Sequence, residues 1–177
     1  MTLIIGHIAL VQRSKRQDFV LDVVEQLRQD GVDAIALFAG KIRDRNFLNE
    51  LQESTDKKRL KENVYFLGRR EDIPDLLKII DVLIIPSSFE GFPLVGLEAA
   101  AAGVPVVACN ESGAEEFVKM SGAGILFAYD DVKDAANAVL EGIRYREGLK
   151  EAGYKFVEQC TIQQYKKAIV NIFQKYA

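Results

Sequence analysis

The period of the apolar residues changes repeatedly along this chain. Ile4, Ile5, Ile8, Leu10 and Val11 form a short β-branched run, as in a strand buried on both faces. After Arg16 the spacing becomes helical. Phe19, Val20, Val23, Val24 and Leu27 share one face, and Asp22, Glu25, Gln26 and Arg28 share the other. Gly31 stops that helix. The alternation then recurs. Further strands are expected at Ala34–Ala39, Val64–Leu67, Val82–Ile85, Val104–Ala108 and Gly124–Phe127. Helices are expected around Asp44–Lys57, Pro74–Ile79, Pro93–Ala102 and Ala114–Lys119. The remainder reads as helical, ending in an apolar stripe of Ile162, Tyr165, Ile169, Ile172, Phe173 and Tyr176.

Strands alternating with helices predict an α/β fold: a doubly wound, parallel, six-stranded sheet with right-handed crossovers and C-terminal helices. No linker, repeat or low-complexity tract interrupts the pattern, so residues 1–177 are read as one domain. With strand order 3-2-1-4-5-6, the order reverses between the first and fourth strands. A ligand then binds in the crevice outside their carboxyl ends. Two loops would face each other there, Leu10–Arg16 and Pro86–Phe92.

Composition narrows the field without naming a chemistry. Apolar residues make up 49% and charged residues 28%, the profile of a soluble globular domain. The net charge of −3 argues against a nucleic-acid partner held by bulk charge. No apolar run approaches the roughly 20 residues that span a bilayer. Leu3–Val11 has neither a basic leader nor a small-residue cleavage site, so it is not read as a signal peptide. Cys109 and Cys160 lie in no metal or redox spacing, which suits a reducing, cytoplasmic compartment. With His7 the single histidine, a zinc site of several His is impossible, and a Ser-His-Asp triad would have to use it. A core or crevice-edge role fits it better. Cys109 reads as a small buried apolar residue.

The second loop, Pro86-Ser87-Ser88-Phe89-Glu90-Gly91-Phe92-Pro93, is the more informative. Gly91 permits close approach of backbone to a ligand. Pro93 suits the first position of a helix, whose free amides near Leu94 and Val95 favour an anion, phosphate above all. Glu98 sits in a helix otherwise apolar or small on every side. It is therefore expected to be buried and to need a partner: a backbone donor, a cation or ligand hydroxyls. In the first loop Arg13, Lys15 and Arg16 place three cations opposite that helix start, a candidate diphosphate clamp. Each feature has a plain structural reading too: a Pro-initiated helix, a glutamate facing water, and solvated surface charges. The glycine fingerprints of dinucleotide oxidoreductases and of P-loop NTPases are absent.

Residues 66–77, 79–110, 111–118 and 121–131, together with the opening residues 4–24, resemble the donor-binding half of retaining glycosyltransferases. The likeness is to the large group 1, family 4 type with the GT-B fold, and it is carried by Glu90 and Glu98 in a Glu-x7-Glu spacing across the loop and helix. The fold is then the Rossmann-like half of a GT-B enzyme. The resemblance implies that Glu90 lies against the donor sugar, as the catalytic candidate, and that Glu98 holds the ribose hydroxyls. It places Gly68 and Arg69 near the base. Ser88, Gly91, Phe92, Leu94 and Val95, with a basic pair from the first loop, would hold the diphosphate. Cations and amides would stabilise the leaving nucleoside diphosphate, so no metal and no cofactor is expected beyond the donor substrate. Glu116 matches a family glutamate, with Glu115 in place of a frequent proline.

The match departs from the family in two ways. Ala9-Leu10 stands where these enzymes carry Gly-Arg; Lys15 falls on the family lysine, and Arg13 or Arg16 is left to replace the phosphate arginine. The chain also matches only the second of two domains, so the N-terminal acceptor-binding half is expected elsewhere, and this chain alone is expected to be an inactive half. The expected function is hexosyl transfer from a UDP- or GDP-sugar to a glycan or lipid-linked acceptor in polysaccharide synthesis. The location would be cytoplasmic, or at the inner face of the membrane through the absent half. A non-catalytic nucleotide-binding or assembly module and a sugar-nucleotide epimerase of the same architecture are the alternatives.

Overall fold

The computed structural model describes residues 2–87, 89–164, 166–167 and 170–171. Ser88 lies outside the described residues, as do Tyr165, Ile169, Ile172, Phe173 and Tyr176 of the final stripe; Ile162 is exposed.

Six strands, β1 (Leu3–Ile8), β2 (Ala34–Ala39), β3 (Val64–Gly68), β4 (Val82–Ile85), β5 (Val106–Cys109) and β6 (Gly124–Phe127), form one sheet in the order 3-2-1-4-5-6. Every pairing is parallel. The helices that connect and cover them are α1 (Gln17–Gln29), α2 (Arg45–Lys57), α3 (Ile73–Ile79), α4 (Leu94–Ala101), α5 (Gly113–Ser121), α6 (Val132–Arg144) and α7 (Arg146–Gln159). The fold class and the position of the order reversal are as the sequence predicts. The first strand ends at Ile8 rather than Val11, and Val11 keeps only an isolated bridge to Ile42. The fifth begins at Val106 because Pro105 precedes it, offering a carbonyl to Leu83 but no N–H.

Two apolar clusters lie on the two faces of the sheet. One gathers Ile5, Phe38 and Ile84 with side chains of α1, α2 and α6. The other gathers Leu83, Val106 and Ala108 with side chains of α3, α4 and α5, and with Phe156 and Val157 of α7. Strands covered on both sides need apolar residues at nearly every position, which is why β4 and β5 read as continuous runs. Side-chain caps fix two helix starts: the Asp44 carboxylate accepts from the Phe47 amide at 2.9 Å, and the Ser112 hydroxyl from the Ala114 amide at 3.2 Å. At Gly40 a Cβ would stand 1.8 Å from the Ala9 carbonyl oxygen, so only glycine lets the ends of β1 and β2 meet. Cys109 is fully buried, and no helix among the described residues is long and apolar enough to cross a membrane.

Candidate functional site

The loop after β1 holds a single 3₁₀ turn, Arg13–Lys15, followed by Arg16 in the left-handed region at φ 55°. Its three cations do not act together. The Arg13 guanidinium turns to α2, 2.5 Å from Glu50 and 5.1 Å above the Phe47 ring. Arg16 turns to the segment before α6, 2.5 Å from Asp130, with the Phe19 and Tyr129 rings at 5.2 and 5.3 Å. Burial disfavours the Arg16 charge, but hydrogen bonding to Asp130 and the nearby Asp18 outweigh it and raise its pKa. Hydrogen bonding to Glu50 raises that of Arg13. The structure does not bring the three cations to one point. Acidic side chains far away in sequence already hold both arginines, and Lys15 alone crosses the crevice, to Glu90. Both members of that pair are about four-fifths shielded, at 18% exposure each. Leu10 places no charge where a cation was sought; its carbonyl accepts from the Gln17 side-chain amide at 2.9 Å.

The loop after β4 is fixed from the other side. The Gly113 amide at the start of α5 donates to the Glu90 carbonyl at 3.0 Å. A Cβ on Gly113 would stand 2.3 Å from the Gly91 carbonyl oxygen, whereas one on Gly91 would meet nothing within 4 Å. The tight approach thus belongs to Gly113, which the sequence reading did not single out. The one signal it offered was a Ser-Gly pair opening a helix. Phe89 is almost wholly exposed; Phe92 packs its edge on Phe117, centroids 5.7 Å apart. Pro93 caps α4 instead of beginning it, with φ −77° and ψ 105°, and no side chain caps the helix. The first amides, those of Leu94 and Val95, have no partner within the helix.

Glu98 differs from expectation. It is exposed, and it makes no hydrogen bond or ion pair among the described residues. Helix α4 buries only Gly96, Ala99 and Ala100. Its remaining apolar side chains do not signal burial on every side, because part of that surface faces a groove against α3. Glu98 lines this groove with Ile73, Pro74, Leu77, Lys78, Ala101 and Ala102, around a cavity of about 440 Å³. Gly68, at φ 64° with open space beside its Cα, lines a different cavity of about 310 Å³ that includes Phe38, Gly40 and Phe66. Arg69 is exposed and pairs with Glu71 at 3.3 Å. Glu116 is also exposed. The structure therefore brings Lys15, Glu90 and the start of α4 to the switch point, and it sets Glu98 and Gly68 in separate flanking cavities.

Residues 2–156 match the family described as glycosyl transferases group 1. The chain belongs to that family. Among curated relatives, the lipopolysaccharide core biosynthesis mannosyltransferase LpsB of Rhizobium meliloti (strain 1021) is 33% identical; the match takes in 77% of this chain and 41% of LpsB. Among solved structures, Anabaena HepE in complex with UDP and glucose superposes with a TM-score of 0.87 at 24% identity, over 98% of this chain and 48% of that one. The C-terminal domain of the group 1 family protein LpcC from Francisella tularensis superposes with a TM-score of 0.75 at 22% identity, over 89% of this chain and 85% of that one. The sheet is thus the Rossmann-like fold of GT-B glycosyltransferases. This group 1 chain spans less than half the length of LpsB and of HepE.

Proposed function

We propose that this chain is the donor-binding part of a retaining glycosyltransferase. It would move a hexosyl group from a UDP- or GDP-sugar to a hydroxyl of a glycan or lipid-linked acceptor, with an acceptor-binding domain outside this chain. The observation that carries the reading is the pairing of Lys15 with Glu90 across the β1–β4 switch point, four residues before the uncapped start of α4. An incoming diphosphate exchanges that cation's carboxylate partner for its own oxygens and takes the Leu94 and Val95 amides at the same time. Glu90, released, faces the sugar. As charge develops on the leaving diphosphate, the ammonium and the amides stabilise it. Glu98, in the groove beside α3, has the acceptor oxygens that ribose hydroxyls require. The UDP held by HepE supports a nucleotide donor, and the LpcC domain supports the reading of this part as C-terminal.

Calorimetry with UDP, GDP and their sugars tests this. Binding of one nucleotide is expected, with Glu98→Ala weakening it; Glu90→Ala is expected to act on sugar transfer in the complete enzyme. Equal affinity of wild type and Glu98→Ala removes the ribose role, and turnover by the isolated chain removes the half-site claim. A second reading, a nucleotide-binding or assembly module without catalysis, is favoured by one observation: Leu10 is uncharged, while Arg13 and Arg16 pair with Glu50 and Asp130. A strong gain in nucleotide affinity on Leu10→Arg supports that reading.

A further inference from the structure

His7 lies at the point where the sheet opens. Strand β1 pairs with β2 along its whole length, Leu3 to Ile8, but with β4 only at Ile5–Val82 and Gly6–Leu83. Beyond Gly6 the two central strands share no ladder, and the backbone groups lining the opening need other partners. The buried His7 side chain supplies one. Its Nδ1 is 3.0 Å from the Ile84 carbonyl oxygen, so Nδ1–H donates across the gap that the ladder has left. The ring stands edge-on to Phe38, centroids 5.8 Å apart, and the main chain of Lys15 also lies near it. Nε2 is left as a buried lone pair with no partner.

Among the described residues, two other buried side-chain atoms lack a partner: Gln17 Oε1 at the start of α1, and Ser87 Oγ in the loop after β4. All three belong to segments that frame the switch point. An orphaned buried polar atom costs about 1–3 kcal/mol. A position needed only for filling would carry an apolar side chain at no such cost.

We propose that His7 is a positioning residue that sets the width of the crevice, so that Lys15 meets Glu90. The hydrogen bond to Ile84 ties the root of the Glu90 loop to β1, and Lys15 leaves β1 a few residues further on. The consequence for nucleotide affinity rests on the donor-binding reading; the consequence for the Lys15–Glu90 pair does not.

The test has two readouts. The first, without nucleotide, is the Lys15 ammonium signal in NMR, visible when its ion pair slows hydrogen exchange. It is expected in wild type and in His7→Asn, whose amide can donate in the manner of Nδ1, and lost in His7→Phe. The second is UDP affinity by calorimetry. His7→Phe is expected to weaken UDP by about fivefold and His7→Asn by less than about twofold. In a Lys15→Ala background His7→Phe is expected to have no further effect, because its route to the ligand is gone. Should His7→Phe not fold, His7→Gln takes its place, since its amide reaches the Nε2 position and loses Ile84. An unchanged ammonium signal in His7→Phe overturns the proposal. So does an equal loss of affinity with and without Lys15, which is the mark of a merely structural residue. If wild type shows the ammonium signal and binds no UDP, the donor-binding reading fails while the positioning claim is still decided by the first readout.

Discussion

The two loops at the switch point are held by opposite means. The one after β1 is fixed by charge: Arg13 reaches out to α2, Arg16 to the segment before α6, and the turn between them points Lys15 inward. The one after β4 is fixed by backbone, through the Gly113 amide under the Glu90 carbonyl, while Phe89 and Leu94 stay exposed. Clustered cations in a sequence are thus not clustered in space. Two of the three shape the loop, and the third meets Glu90 across the crevice.

The largest expected effect falls beneath both loops. Burial lowers the His7 pKa from 6.5 to about 4, against the opposing pull of the Ile84 carbonyl; Lys15 lowers it further and Glu90 raises it. The folded state therefore binds a proton less readily than the unfolded state. The stability this gives is complete above pH 6.5 and is lost as pH falls from 6.5 towards 4, by roughly 3 kcal/mol. Urea unfolding at pH 7 and pH 4.5 should show the loss in wild type and a smaller one in His7→Asn. The remaining slope belongs to carboxylates common to both.

Next in size is the backbone anchor of the second loop. Gly113→Val forces a side chain against the Gly91 carbonyl, with its Cβ 2.3 Å away, and should lower stability by about 1–3 kcal/mol in urea unfolding. Lys15→Ala leaves both loops folded and should weaken UDP by at least tenfold in calorimetry, since a charge-assisted contact is removed. Glu90→Ala removes Lys15's competing partner and should leave UDP affinity equal or higher. A fall there would mean that Glu90 itself holds the nucleotide.

The sequence makes the sheet legible because its signal is local. Runs such as Val82–Ile85, buried at every position, and stops such as Gly31 depend on near neighbours. The crevice followed from strand order. Side-chain direction was not legible, because it depends on partners far along the chain. Glu50 is 37 residues from Arg13, and Asp130 is 114 from Arg16. Glu98 misled for a related reason. The apolar composition of α4 resembles that of a core helix, yet part of its surface lines an open groove against α3, a contact that α4's own sequence does not encode. His7 was legible as a buried residue but not as a brace, since that role appears only where β1 and β4 part.

Smaller effects separate the two arginines from Lys15. Arg16 sits between two aromatic rings and against Asp130, which is itself left-handed at φ 61°. Arg16→Ala should cost about 1 kcal/mol in thermal unfolding, chiefly through the lost cation–π packing. It should weaken UDP only as far as Lys15 is displaced.

Arg13→Ala is the smallest and the most discriminating. Its side chain is 62% exposed and its partner Glu50 is 53% exposed, so solvent screens their attraction. The melting temperature should stay within about 1–2 °C of wild type. UDP affinity should be unchanged, and Arg13→Glu should lower it only slightly, through long-range repulsion that 0.5 M salt abolishes, since the Debye length there is only about 4 Å. A tenfold loss on Arg13→Ala that persists in high salt would mean that Arg13 leaves Glu50 to bind phosphate when nucleotide arrives. The first loop would then be a clamp that assembles on its ligand, and the division between the cations that shape the loop and the one that crosses the crevice would not hold.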